Sequence, residues 1–469
     1  METNRAPIIT VLGHVNHGKT SLLDAIRRTN IATKEAGGIT QNIGASVVTI
    51  KEGKKITFID TPGHAAFSSM RSRGAKLADI AVLVVAADDG VKPQTKESIE
   101  YIREASIPFI VAITKIDLPT ADVDKVRGEL EQEEVYFEGR GGNIILVPVS
   151  SKTLSGIDEL LEMITLTAEV QEIRSDSVAP LEAVVIENSK DKKGLLVSVV
   201  VRNGSLEVGK NIICGSVACR VRGIFDYVGK SVKKILPGEP GQILGFKELP
   251  SVGSSVSSIG NSEITKKSTD ILSRKLKVPE LLKGIPIVLK AKKAGSLEAI
   301  ILNLPQGIEV LSSSVGEVNE SDVLFAKTSH AAIFAFELSV SSQVKNLAEK
   351  EGIKIETFKI IYELFKSLEG LVKKNTEEIL GKAVIVASFP FNKKRVAGCK
   401  MTQGIITKLD SLSITRNDKE IGKVKVTSLK KQKQNVMEVK AGEEFGAIFD
   451  PQLDFREGDM ILSVSKTEK

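Results

Sequence analysis

The chain has no tryptophan, and only 4% of its 469 residues are aromatic; it holds three cysteines and four histidines. An odd handful of cysteines excludes a complete disulfide set. Cys214, Cys219 and Cys399 also lack the paired spacing and neighbouring histidines of a zinc site. No apolar run approaches the roughly 18 residues of a membrane-spanning helix. Met1-Glu2-Thr3-Asn4-Arg5 lacks the charged-then-apolar pattern of a leader. A reducing cytoplasm is the expected compartment, with no membrane partner. No charge sign dominates: 65 Lys+Arg stand against 59 Asp+Glu, and a net +6 is compatible with RNA without arguing for it. What is present is ordinary globular composition, 42% hydrophobic and 26% charged, in a chain too long for one core. Three or four domains are expected.

The most informative segment is Gly13-His14-Val15-Asn16-His17-Gly18-Lys19-Thr20, with G-x-x-x-x-G-K-T spacing. It follows the strand-like run Ile8–Leu12 and precedes a helical pattern opening at Ser21, the context in which a phosphate loop is credible. Gly13 and Gly18 let successive N–H groups curl around a polyphosphate at a helix N-terminus. Lys19 is placed to reach the β- and γ-phosphates and the Thr20 hydroxyl to ligate magnesium. A second strand-like run ends in Asp60-Thr61-Pro62-Gly63-His64; Asp60 can hold magnesium through a water, and the Gly63 N–H can meet the γ-phosphate. A third leads into Thr114-Lys115-Ile116-Asp117. The Asp117 carboxylate can accept from N1 and the 2-amino group of guanine. Adenine lacks both donors, and an unpaired buried acceptor costs roughly 1–3 kcal/mol. Ser150-Ser151-Lys152 follows a fourth strand and is suited to close over the base. All four motifs fall at strand C-terminal ends, where a parallel α/β sheet keeps its ligand. The ligand read from this pattern is GTP with Mg2+. Three of the four histidines, His14, His17 and His64, lie inside these motifs. His64 is the candidate to orient the attacking water, since phosphoryl transfer is mostly positioning and charge stabilisation.

Downstream, the patterns predict a multidomain α/β plus β chain. A P-loop domain covers 6–175, closing with a Ser155-capped helix, and short strands with Asn203-Gly204 and Pro-Gly turns suggest a β-barrel over 180–255. A serine- and lysine-rich linker spans 256–284. Alternating strands and helices over 285–365 indicate an α/β domain. A charged helix is predicted over 366–382, and a second barrel over 383–467. Gly204 is echoed at Gly404, and the run 241–246 by 445–449.

The set GHVNHGKT, GGITQNIGA (37–45), DTPGH and TKID resembles a translational GTPase, and the run from Phe58 to Thr95 resembles bacterial translation initiation factor two. The resemblance extends from Ile8 to the C-terminus, in a short form without an N-terminal extension. It implies that Thr40 contacts magnesium and the γ-phosphate. It also implies that Val15 and Ile39 form an apolar gate holding catalytic His64 back until the ribosome opens it. Asn16 replaces a usual aspartate linked to a monovalent cation beside the phosphates, Asn42 a usual histidine, and Thr114 the usual asparagine. The resemblance assigns the last barrel to initiator tRNA, with Cys399, Lys430, Lys431, Glu444 and Phe445 as contacts. Here Lys431-Gln432 stands for arginine–phenylalanine and Phe445 for cysteine. Lys423, Lys425, Lys433 and Lys440 add sequence-blind phosphate affinity.

The expected activity is ribosome-stimulated hydrolysis of GTP by a monomer that positions initiator tRNA on the small subunit and promotes joining of the large one. Two alternatives stay open: another translational GTPase carrying aminoacyl-tRNA, which would show barrels directly after the GTPase, and a GTP-binding ribosome-associated module with little tRNA binding.

Overall fold

The computed structural model describes residues 3–29, 39–50, 53–191, 193–259, 284–375, 379–391, 394–408, 410–416, 419–432 and 434–464. The chain divides into two compact units, Met1–Lys366 and Ser367–Lys469.

The first unit opens with β1 (Ile8–Gly13), α1 (Lys19–Arg27), β2 (Gly44–Thr49), β3 (Lys55–Asp60), α2 (Ser68–Leu77), β4 (Ile80–Ala86), α3 (Pro93–Ala105), β5 (Phe109–Thr114), α4 (Val123–Gln132), β6 (Ile145–Pro148) and α5 (Ile157–Val170). The strands lie in the order β2-β3-β1-β4-β5-β6, with only β2 antiparallel to its neighbour. β1 and β4 are buried along their whole length, because helices cover both faces of a parallel sheet. One face packs Val11, Leu22 and Leu160; the other packs Leu12, Leu83 and Ile102.

An antiparallel sheet follows: β7 (Glu182–Asp191), β8 (Gly194–Asn203), β9 (Asn211–Cys214), β10 (Val217–Arg220), β11 (Gly223–Asp226), β12 (Pro240–Leu244) and β13 (Ser255–Ser258). Its order is β10-β9-β13-β7-β8-β12-β11, around a core that includes Val185, Val199, Ile243, Cys214 and Cys219. β13 runs past the predicted barrel end at 255, so the first residues of the predicted linker are a strand. They pair with β7 and β9, a partnership the local sequence does not encode. The rest of that linker, 260–283, lies outside the described residues.

The third part of this unit is a parallel sheet: β14 (Ile285–Ala291), α6 (Ala294–Leu302), β15 (Ile308–Val315), α7 (Glu320–Thr328), β16 (Ala332–Phe336), α8 (Ser342–Lys350) and β17 (Ile355–Phe358), ordered β15-β14-β16-β17. Lys290 and Asp322 form a buried ion pair inside it, Nζ to Oδ2 2.8 Å. Helix α9 (Ile361–Asn375) then begins. The helix predicted over 366–382 is corrected on both sides. It starts five residues earlier because Ile361, Leu364 and Leu368 are all fully buried at helical spacing. By Ile379 the chain is already a strand.

In the second unit β18 (Ile379–Phe391), β19 (Lys394–Thr407), β20 (Ser411–Arg416), β21 (Lys419–Lys431), β22 (Glu438–Lys440), β23 (Glu444–Asp450) and β24 (Met460–Val464) form a barrel. Pairing runs β18-β24-β20-β21-β23-β19 and back to β18, which closes the ring and leaves no edge among those six. Gly204 and Gly404 do the same work in the two barrels. Both have positive φ (66° and 73°), and at both a Cβ would strike backbone carbonyl oxygens, of Ala179 and Pro180 or of Leu380.

Candidate functional site: a nucleotide pocket at the ends of the first parallel sheet

The loop between β1 and α1 needs its glycines. Gly13 has φ +144°, and a Cβ there would run into the Val84 carbonyl; Gly18 has φ +85° and leads directly into α1. Asn16 also adopts a left-handed φ of 64°, tolerable for asparagine. Lys19 is buried, donating from Nζ to the Gly13 and His14 carbonyls at 3.0 and 2.6 Å. Burial lowers its pKa to about 8, with Asp60 opposing and Arg71 adding to the fall. An arriving phosphate therefore meets a desolvated ammonium already aimed along the loop. At Gly63 a Cβ would collide with that ammonium and sit 3.0 Å from the Val15 nitrogen, so the second loop closes directly on the first.

A cavity of about 360 Å³ lies between them. It is lined by Val15, Asn16, Gly18, Lys19, Thr20, Ile39, Thr40, Gly63, His64, Thr114, Lys115, Asp117, Ser151 and Lys152. Gly13, His14, His17, Asp60, Thr61, Pro62 and Ser150 do not line it; Thr61 donates to the Val11 carbonyl and His17 is fully buried. The Thr20 and Thr40 hydroxyls meet at 2.6 Å, and Asp60 is buried close enough to act on the Lys19 charge. Two hydroxyls and a carboxylate suit magnesium, which keeps waters and phosphate oxygens for its other positions. No cluster of three or more His, Cys, Asp or Glu able to hold a metal occurs among the described residues.

At the base end, Asp117 is exposed and accepts from Ser150 Oγ at 2.7 Å, which holds its carboxyl below the usual range. Thr114 donates to the His17 carbonyl at 2.6 Å, binding the base strand to the phosphate loop. Lys115 pairs with Asp88 at 3.2 Å.

His64 accepts from the Ala66 N–H at Nδ1, 3.0 Å, which leaves the proton on Nε2. Its pKa is lowered by burial and then by Arg71, so the ring is neutral. The Tyr362 ring stands edge-on to it, centroids 4.1 Å apart at 82°. Arg71, fully buried, donates to the Pro62 and His64 carbonyls and to Glu97 Oε2 (2.7 Å), and Tyr101 donates to the same carboxylate at 2.6 Å. His17 Nε2 lies 3.3 Å from Asp89, and burial lowers its pKa to about 4. Gln94 Oε1 accepts from Val15 N–H at 3.1 Å.

Sequence reasoning missed Arg71, Gln94, Glu97, Gln41 and Tyr362. The first two lie inside the Phe58–Thr95 run that carries the family resemblance and Glu97 two residues beyond it, so the signal was present without a role attached. Gln41 likewise lies inside GGITQNIGA (37–45), and Tyr362 has no local signal.

The tRNA candidates lie in the second unit. Cys399 and Phe445 are register partners on β19 and β23, and both point into the barrel core, 1% and 5% exposed. Lys430 and Glu444 are exposed, while Lys431 pairs with Glu443. Lys423 and Lys425 alternate outward with buried Val424 and Val426, and Lys440 is also exposed. Lys433 is outside the described residues.

A glycine-rich loop opening a helix, two hydroxyls and a carboxylate beside its lysine, and an aspartate held by Ser150, all at the ends of one parallel sheet, are the arrangement of a P-loop nucleotide-binding domain. The family description "Elongation factor Tu GTP binding domain" matches residues 4–170, "Elongation factor G domain 2" residues 180–259 and "Translation-initiation factor 2" residues 260–369. Translation initiation factor IF-2 of Caldanaerobacter subterraneus subsp. tengcongensis is 42% identical over 99% of this chain and 70% of its own length. That of a Thermoanaerobacter species is likewise 42% identical, over 99% and 72%. IF-2 of Desulforamulus reducens is 40% identical over 97% of this chain and 50% of its own. A crystal structure of GDP-bound aIF5B from Aeropyrum pernix aligns over 98% of this chain and 92% of that one, at 28% identity and a TM-score of 0.46. The chain belongs to the translation initiation factor IF-2 family, and it is a translation-initiation GTPase.

Proposed function

We propose that this GTPase, with GTP and Mg2+ bound, holds initiator tRNA on the small ribosomal subunit, promotes joining of the large subunit, and leaves after hydrolysis. The ribosome is its partner and the cytoplasm its place of work, and it acts as a monomer. The observation that carries this reading over an aminoacyl-tRNA carrier of the elongation class is the parallel sheet of β14–β17. A carrier would have a barrel there, directly after the first one.

In the site, Lys19 and the loop N–H groups neutralise the β- and γ-phosphates, and Thr20, Thr40 and Asp60 would hold the metal. Magnesium would supply charge neutralisation on the phosphate oxygens. Asp117 reads guanine, with Thr114, Lys115 and Ser150–Lys152 closing around it. His64, neutral and donating from Nε2, orients water once Val15 and Ile39 part. A monovalent cation beside the phosphates would meet the neutral amide of Asn16 in place of the usual aspartate's charge, which weakens its hold there. In the last barrel, Lys430 and neighbouring lysines contact phosphates of the acceptor end. Cys399 and Phe445 shape that wall from within, and Lys431 and Glu444 border it.

A specific observation favours a second reading, a ribosome-associated GTPase with little tRNA binding: Glu443 already neutralises Lys431. Protection of the aminoacyl ester distinguishes the two. Incubating the full chain with formylated and unformylated initiator methionyl-tRNA should slow hydrolysis of the formylated ester. Equal protection would remove formyl specificity, and protection of neither would favour the second reading.

A further inference from the structure

Next to Thr40, two side chains leave the nucleotide pocket and bind the third domain. Gln41, 3% exposed, donates from Nε2 to the Lys359 carbonyl at 2.8 Å and accepts at Oε1 from the Ile361 N–H at 3.0 Å. It thereby satisfies both backbone groups at the turn into α9. Asn42 donates from Nδ2 to both carboxylate oxygens of Glu337, each at 3.0 Å, and accepts at Oδ1 from Ser296 Oγ at 3.1 Å. Glu337 is a non-glycine residue at φ +55°, just beyond the end of β16. Five hydrogen bonds thus tie two consecutive residues to a surface some 250 to 320 positions away in sequence.

We propose that Gln41 and Asn42 are positioning residues for Thr40, and that the surface formed by Ser296, Glu337 and Lys359 sets how strongly the protein prefers GTP over GDP. The inference rests on the reading of Thr40 as a magnesium and γ-phosphate contact. Thr40 immediately precedes the two clamped residues, and its hydroxyl meets that of Thr20 at 2.6 Å. Holding the two residues after it fixes the direction in which it is presented. By linkage, the same bonds must be strengthened by GTP to the extent that they favour it. The third domain therefore reads the γ-phosphate through an asparagine that stands where the family usually has histidine. Asparagine matches this surface because it offers donors to Glu337 and an acceptor to Ser296 at once.

The test uses the full chain with fluorescent GTP and GDP analogues, comparing dissociation constants in Mg2+. Asn42→Asp keeps the shape but sets a carboxylate against Glu337. GTP affinity relative to GDP should fall about tenfold, the scale of coupling between contacting residues. Adding Glu337→Gln should restore the ratio, because the amide introduced at position 337 can donate to the carboxylate introduced at position 42 while Ser296 still does so. Thr40→Ala should lower the ratio independently. Equal loss for both nucleotides in Asn42→Asp, or a double variant no better than the single, overturns the proposal while Thr40→Ala upholds the role of Thr40. An unchanged ratio in Thr40→Ala overturns that role and, with it, the basis of the inference.

Discussion

Replacing Arg71 by alanine should loosen the loop that carries His64. The guanidinium is fully buried and spans three acceptors: the Pro62 and His64 carbonyls and the Glu97 carboxylate. Breaking a buried pair by removing one partner costs about 3–5 kcal/mol, much of it from the partner left behind. Glu97 keeps 28% of its side-chain surface in solvent and retains Tyr101, so the low end, about 3 kcal/mol, applies here. At about 1.4 kcal/mol per decade this is roughly a hundredfold rise in local opening. The assay is amide hydrogen exchange by mass spectrometry on the peptide 61–77, where the change should concentrate. Arg71→Lys, a point charge without the planar fork, should give an intermediate rise. Exchange within threefold of the parent in Arg71→Ala would refute the claim that this guanidinium holds the His64 loop.

Three further outcomes follow from the site. His64→Ala should keep GTP affinity and lose ribosome-stimulated turnover; unchanged turnover would remove His64 from the mechanism. Lys19 has its pKa lowered to about 8 by burial, and phosphate binding requires the charged form. GTP affinity should thus fall up to about tenfold per pH unit above that value, measured by titration calorimetry from pH 7 to 9.5. His17 titrates near 4 in the folded protein against an ordinary 6.5. In that window the unfolded chain binds the extra proton, so its contribution is full above pH 6.5 and is lost as pH falls toward 4. The loss is worth about 3 kcal/mol. His17→Gln should flatten this part of the acid dependence in urea-unfolding midpoints, and an unaltered slope would assign the acid sensitivity elsewhere.

The nucleotide site was legible because its parts are local. A glycine that must take positive φ, a lysine one residue later and a hydroxyl after that are consecutive positions where the loop enters α1. The strands that present them are apolar runs readable from their own composition. The helix predicted over 366–382 was displaced because its charged stretch marked the solvated part. The buried turn that begins it, with Ile361 and Leu364, belongs to the packing of the first unit. Along β21, period-two alternation separated outward lysines from inward valines without help.

The chain by itself therefore determined the phosphate-loop spacing and the order of sheet types, both readable from runs of neighbouring residues. Tertiary structure decided what those residues touch. It turned Cys399 and Phe445 into the barrel, spent Lys431 on Glu443, set Tyr362 against His64 and gave Gln41 and Asn42 partners in another domain. Most of these contacts join side chains far apart along the chain. Only the packing of one element on another brings them within hydrogen-bond distance, and no local pattern along the chain records it.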